Sequence, residues 1–96
     1  VYVGPDAVVC QHAVVGQYAR IEGNAEVHGY AIVGANVVIR DRARVGEHAT
    51  VGANAVIRDN ACVYGYATAG ANVVVRGHTW VHGHAVIGTE ANDNDA

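Results

Sequence analysis

A period of six residues runs through the chain without an insertion. Written in sixes from Val3, it begins VGPDAV, VCQHAV, VGQYAR, IEGNAE, VHGYAI, VGANVV and IRDRAR, and it holds to Asn92. The first place of all fifteen hexads is Val, Ile or, once, Ala (Ala69). The fifth place is Ala in twelve hexads, Val37 and Val73 in two, and Thr79 in the last. A helix cannot use this period, because 3.6 residues per turn would scatter the apolar places around its surface. Short strands joined by tight corners can. The branched first place then points inward, and the fifth-place Ala fits the cramped interior near a corner. A longer period lies over the first: VGQY, VGAN, VGAN, AGAN and IGTE recur every eighteen residues, at Val15, Val33, Val51, Ala69 and Ile87. Three hexads therefore make one coil, and five coils spaced as strands in a parallel sheet stack to roughly 25 Å. The fold class expected is all-β, a triangular parallel β-solenoid. Asn at the fourth place (Asn24, Asn36, Asn54, Asn60, Asn72) fits corners that need positive φ.

Composition narrows the chemistry. Lys and Ser are absent, which removes a lysine or serine nucleophile and the lysine of a phosphate-binding loop. Leu, Met and Phe are absent too, so Val, Ile and Ala must form the core. A formal net charge of −3 without a basic patch argues against a nucleic-acid partner. No run approaches the roughly 18 uninterrupted apolar residues of a membrane span. Cys10 and Cys62 make no disulfide framework and lie on coils too far apart to pair. The repeat domain is expected over residues 1–92, followed by a polar acidic tail, residues 93–96, that solvates the last coil. With no initiator Met and no signal peptide, a piece of a longer natural protein and an engineered consensus-like repeat both fit. The compartment is left open, the cytoplasm being favoured.

Stacking at eighteen residues turns the surface into columns. Arg40, Arg58 and Arg76 share one second-place column, with Asp41 and Asp59 beside the first two. A salt-bridged exterior is the plain reading of this column. An anion site for phosphate or carboxylate is the functional one. Of the six histidines, His12, His48, His78 and His84 hold fourth places, while His28 and His82 hold second places and face out. One corner column reads His12, Tyr30, His48, Tyr66, His84, so its histidines lie two coils apart, about 10 Å. That is too far for shared ligation, and no metal site is expected.

The pattern of aliphatic, small, two variable, small, variable residues resembles the hexapeptide repeat of left-handed parallel β-helices. That superfamily includes acyltransferases, sugar-nucleotide acetyltransferases and γ-class carbonic anhydrases. The resemblance covers almost the whole chain, and the left hand is implied by it alone. Around VGANAVIRDN the chain is similar to the γ-carbonic anhydrases, yet Tyr64 stands where their pattern requires a histidine. Their later histidine pair, five residues apart, is also missing; the nearest residues are His78, His82 and His84. The metal triad is not carried over. The acyltransferases of the superfamily use a histidine base near a subunit boundary. His82, with Trp80 and Tyr64 on the same face, is the candidate here.

Two surfaces point to association. One sets Ile32, Thr50, Thr68 and Val86 beside the glycine column Gly34, Gly52, Gly70 and Gly88, which would let another backbone approach closely. The other turns Val38, Val56 and Val74 outward next to the arginines. The function expected is a structural or interaction module, homo-oligomeric through these flat faces, with no cofactor and no self-contained active site. The alternative is a hexapeptide-repeat acyltransferase-type domain whose site lies between subunits, with a γ-carbonic anhydrase-like metalloenzyme further off.

Overall fold

The computed structural model describes residues 2–10 and 12–88; the tail expected at 93–96 lies outside them. Fifteen two-residue strands, separated by corners of four residues, wind into a solenoid with three parallel sheets. The first sheet stacks β1 (Tyr2–Val3), β4 (Arg20–Ile21), β7 (Val38–Ile39), β10 (Val56–Ile57) and β13 (Val74–Val75). The second stacks β2 (Val8–Val9), β5 (Glu26–Val27), β8 (Arg44–Val45), β11 (Cys62–Val63) and β14 (Trp80–Val81). The third stacks β3 (Val14–Val15), β6 (Ile32–Val33), β9 (Thr50–Val51), β12 (Thr68–Ala69) and β15 (Val86–Ile87). Each residue pairs with the one eighteen places on, as in Tyr2 with Arg20 and Val56 with Val74. The all-β, triangular solenoid read from the period is the fold observed.

Side-chain alternation along two-residue strands decides the core. The first residue of each strand faces out, and the second faces in. Ile21, Ile39 and Ile57 line the first sheet, Val27, Val45 and Val63 the second, and Val33, Val51 and Ala69 the third; all are buried. Fifth-place side chains fill the interior beside the corners. Along one edge Ala19, Val37, Ala55 and Val73 alternate small with large, so that larger side chains of successive coils do not meet. Thr79 takes such a place with its hydroxyl buried, and among the described residues Oγ1 finds no hydrogen-bond partner.

The corners differ from the single type read from the sequence. At the corner after the first sheet and the corner after the second, positive φ falls on the third place: Gly23, Asp41, Asp59 and Gly77, then Gly29, Glu47, Gly65 and Gly83. Only the corner after the third sheet puts it on the fourth place, at Tyr18, Asn36, Asn54 and Asn72. Asn24 and Asn60 are therefore not left-handed; Gly23 and Asp59 before them are. Hydrogen bonding follows the switch. At the first two corners the fourth-place N–H reaches the next coil, as in Asn24 N to Asp41 O (2.7 Å) and Tyr30 N to Glu47 O (2.6 Å). At the third it reaches back, as in Asn54 N to Ala35 O (2.9 Å).

The backward turn explains the glycine column. A Cβ on Gly34 would sit 2.9 Å from Ala53 N, and one on Gly52 would sit 2.6 Å from Ala71 N. The close backbone approach expected of these glycines takes place between coils of the same chain.

Candidate functional site

Two of the three corners gather chemically distinct side chains. The first corner collects charge. Arg40, Arg58 and Arg76 run up its second place, next to a groove of about 640 Å³ lined by Gly23, Asn24, Asp41, Arg42, Asp59, Asn60, Gly77 and His78. The arginine–aspartate pairs are loose: Arg40 Nε lies 3.9 Å from Asp41 Oδ2, and Arg58 Nη1 lies 3.7 Å from Asp59 Oδ1. Those distances exceed hydrogen-bond range, leaving a solvent-screened attraction. The short contacts of the carboxylates go to backbone instead. Asp41 Oδ2 accepts from Asp59 N (3.1 Å), and Asp59 Oδ2 accepts from Gly77 N (3.0 Å). Glu47 does the same at the second corner, its Oε1 accepting from Gly65 N at 2.7 Å. Each carboxylate at a left-handed third place thus satisfies the third-place N–H one coil on, which offsets the cost of its backbone conformation. The Gly77 N–H chiefly holds the Asp59 carboxyl below its usual range; partial burial opposes it, and Arg58, Arg40 and Arg76 add to it.

The second corner collects rings. Its fourth-place column, His12, Tyr30, His48, Tyr66, His84, is one continuous stack. Centroids are 4.8, 5.1, 4.8 and 5.2 Å apart, with planes within 9° of parallel. The strand spacing sets this distance, since each ring rises from the same place of successive coils.

The second-place column beside it reads Cys10, His28, Gly46, Tyr64, His82. Gly46 is buried because His28 and Tyr64 close over it from the coils on either side. Their rings lie 5.6 Å apart, with His28 Nε2 at 3.4 Å from Tyr64 Oη. Burial raises the Tyr64 phenol above its usual range and Cys62 adds to this, while a hydrogen bond from Arg44 opposes it. Burial also raises the Cys62 thiol, against Arg44. A thiol pushed that way stays protonated and is a poor nucleophile.

The predicted residues separate accordingly. His82 is exposed, and its ring lies against Trp80 at 5.5 Å. Tyr64, grouped with His82 in the sequence reading, has its ring contact with His28. His28, read as simply outward, is half-buried. The arginines stand together, on a corner that His82 does not share. The sequence reading missed the His28–Tyr64 pair and the backbone role of Asp41, Asp59 and Glu47. A signal for the pair was present: a glycine interrupting a column of large rings leaves a gap that its neighbours can fill.

The family profile described as "Bacterial transferase hexapeptide (six repeats)" matches residues 24–59. Among curated proteins none matches the sequence. Of solved structures, a hexapeptide transferase family protein from Anaplasma phagocytophilum superposes with a TM-score of 0.72 at 18% identity, over 96% of this chain and 64% of that one. Perosamine N-acetyltransferase from Caulobacter crescentus, solved as an H141N mutant with CoA and GDP-perosamine, gives 0.64 at 18% identity, over 97% of this chain and 54% of that one. The chain thus spans less than two thirds of either neighbour. Residues 24–59 thus match the bacterial transferase hexapeptide repeat, and the chain shares the β-solenoid fold of these neighbours.

Proposed function

We propose that the chain is a rigid interaction module that pairs with a second copy of itself across the third sheet. The observation that supports this is the outward column of that sheet. Val14, Ile32 and Val86 are 58%, 50% and 71% exposed, with Thr50 and Thr68 between them. Val38, Val56 and Val74, half-buried, belong to the first sheet, across a corner that carries the exposed Asn36, Asn54 and Asn72. The third-sheet column is an exposed apolar strip of the kind that serves as the centre of an interface, for which a stable pair buries roughly 1,200–2,000 Å². Sedimentation velocity of the parent against Ile32→Lys/Thr68→Lys tests the reading. A parent dimer that dissociates in the variant supports it. A parent that is monomeric at all concentrations, or a variant that stays dimeric, overturns it.

A second reading is an acyltransferase-type domain with its site between copies and His82 as base. The likeness of fold to perosamine N-acetyltransferase favours it. Acetyl-CoA binding by calorimetry, with acetyl transfer lost but binding retained in His82→Asn, would support it; no acetyl-CoA binding by the assembled protein would remove it.

A further inference from the structure

The five-ring ladder of the second corner has no part in either reading. Its inner rings are covered on both faces by neighbours, yet Tyr30 and Tyr66 are 55% and 59% exposed and His48 is exposed. The exposure is therefore of edges, where the phenol oxygens and imidazole nitrogens lie. The corner thus presents a row of groups that both donate and accept hydrogen bonds, repeating every 4.8–5.2 Å. Among the described residues Gly29, Gly65 and Gly83 leave a low shoulder alongside, interrupted by Glu47, whose carboxylate is held by Gly65 N.

We propose that this ladder is a binding rail for a linear β-linked glycan, one sugar to each rung. Spacing and chemistry select that class. An extended peptide places same-side groups about 6.5 Å apart, which drifts out of step within two rungs. Single-stranded nucleic acid stacks its bases on open ring faces, which are covered here, and its phosphates would meet a chain of net charge −3. A pyranose chain joined through equatorial oxygens is a flat ribbon that advances by close to one strand spacing per sugar. Its hydroxyls both donate and accept, as the rungs do.

Calorimetric titration with β-1,4-linked glucose oligomers of increasing length tests the proposal. Affinity should rise by about tenfold from dimer to pentamer and then level off. An α-1,4-linked hexamer, which curls, should bind about tenfold more weakly than its β-linked counterpart. Tyr30→Phe/Tyr66→Phe keeps the stack but removes two hydroxyls, and should weaken binding by about tenfold at unchanged Tm. Ile32→Lys/Thr68→Lys should bind as the parent does, so this proposal and the dimer reading fail separately. Absence of binding, no dependence on length, equal affinity for both linkages, or a Phe pair that binds like the parent would each overturn the rail.

Discussion

Substituting Ala for Gly at three second places separates backbone stacking from side-chain packing. At Gly52 the added Cβ would meet Ala71 N at 2.6 Å, Gly70 C at 2.8 Å and Ala71 Cα at 2.9 Å, all backbone. Relief requires the coils to part, yet they are held by Gly52 N to Ala69 O at 2.7 Å and Asn72 N to Ala53 O at 2.9 Å. Overpacking costs about 1–3 kcal/mol, and a weakened hydrogen bond adds about 0.5–1.5 kcal/mol. Gly52→Ala should therefore cost roughly 2–4 kcal/mol and lower Tm by roughly 10–30 °C. At Gly46 the added Cβ would meet His28 Cε1 and, at 2.6 Å, Tyr64 Cε1, on rings that can swing outward. Gly46→Ala should cost less than Gly52→Ala while abolishing the His28–Tyr64 contact. At Gly4 the nearest atom is Ile21 O at 3.5 Å, an ordinary contact. Gly4→Ala should be neutral, or stabilising by about 0.4–1 kcal/mol through the unfolded chain. Thermal unfolding followed by circular dichroism reads all three. Equal Tm for Gly52→Ala and Gly4→Ala would refute the claim that backbone contact between coils demands the glycine column.

Val51→Asp, at a buried first place, should abolish folding by leaving an unpaired charge in the core, whereas Ala53→Asp at a half-buried corner should be tolerated; equal melting temperatures would sink the inward assignment. Thr79→Val keeps the shape and removes the unpartnered hydroxyl, so it should raise stability by about 1 kcal/mol, or roughly 4–8 °C in Tm; a fall would mean that Oγ1 is satisfied. The native Asp59 carboxyl titrates below its unfolded value, so the unfolded chain takes up the proton first as pH falls. Its stabilisation is present in full above the usual aspartate range, and is lost as pH falls through the lowered native value. Urea titrations of the parent and Asp59→Asn should therefore converge in strong acid and diverge above about pH 4; parallel profiles would remove the Gly77 hydrogen bond as the cause.

The hexad period by itself determined the solenoid, its three sheets and the inward columns. The reason is steric: a two-residue strand offers one inward side chain, and only an aliphatic residue at every first place, Val3 to Ile87, can close such a core. The columns themselves, including the arginines and the alternating His and Tyr, could be read as well, because the eighteen-residue register has no slack. Which corner residue turns left-handed was decided by the tertiary structure. IRDN and VGAN both end in Asn, but at the VGAN corners the second-place glycine of one coil leaves room for the backbone of the next coil to turn back onto it. The same holds for Asp59, whose carboxylate serves Gly77 N more closely than it serves Arg58. His28 meets Tyr64 rather than solvent because Gly46, on the coil between them, leaves a space that two rings can share. These outcomes depend on contacts between residues eighteen and thirty-six apart, whose energies are set by what the neighbouring coil leaves empty and not by the local pattern that repeats every six.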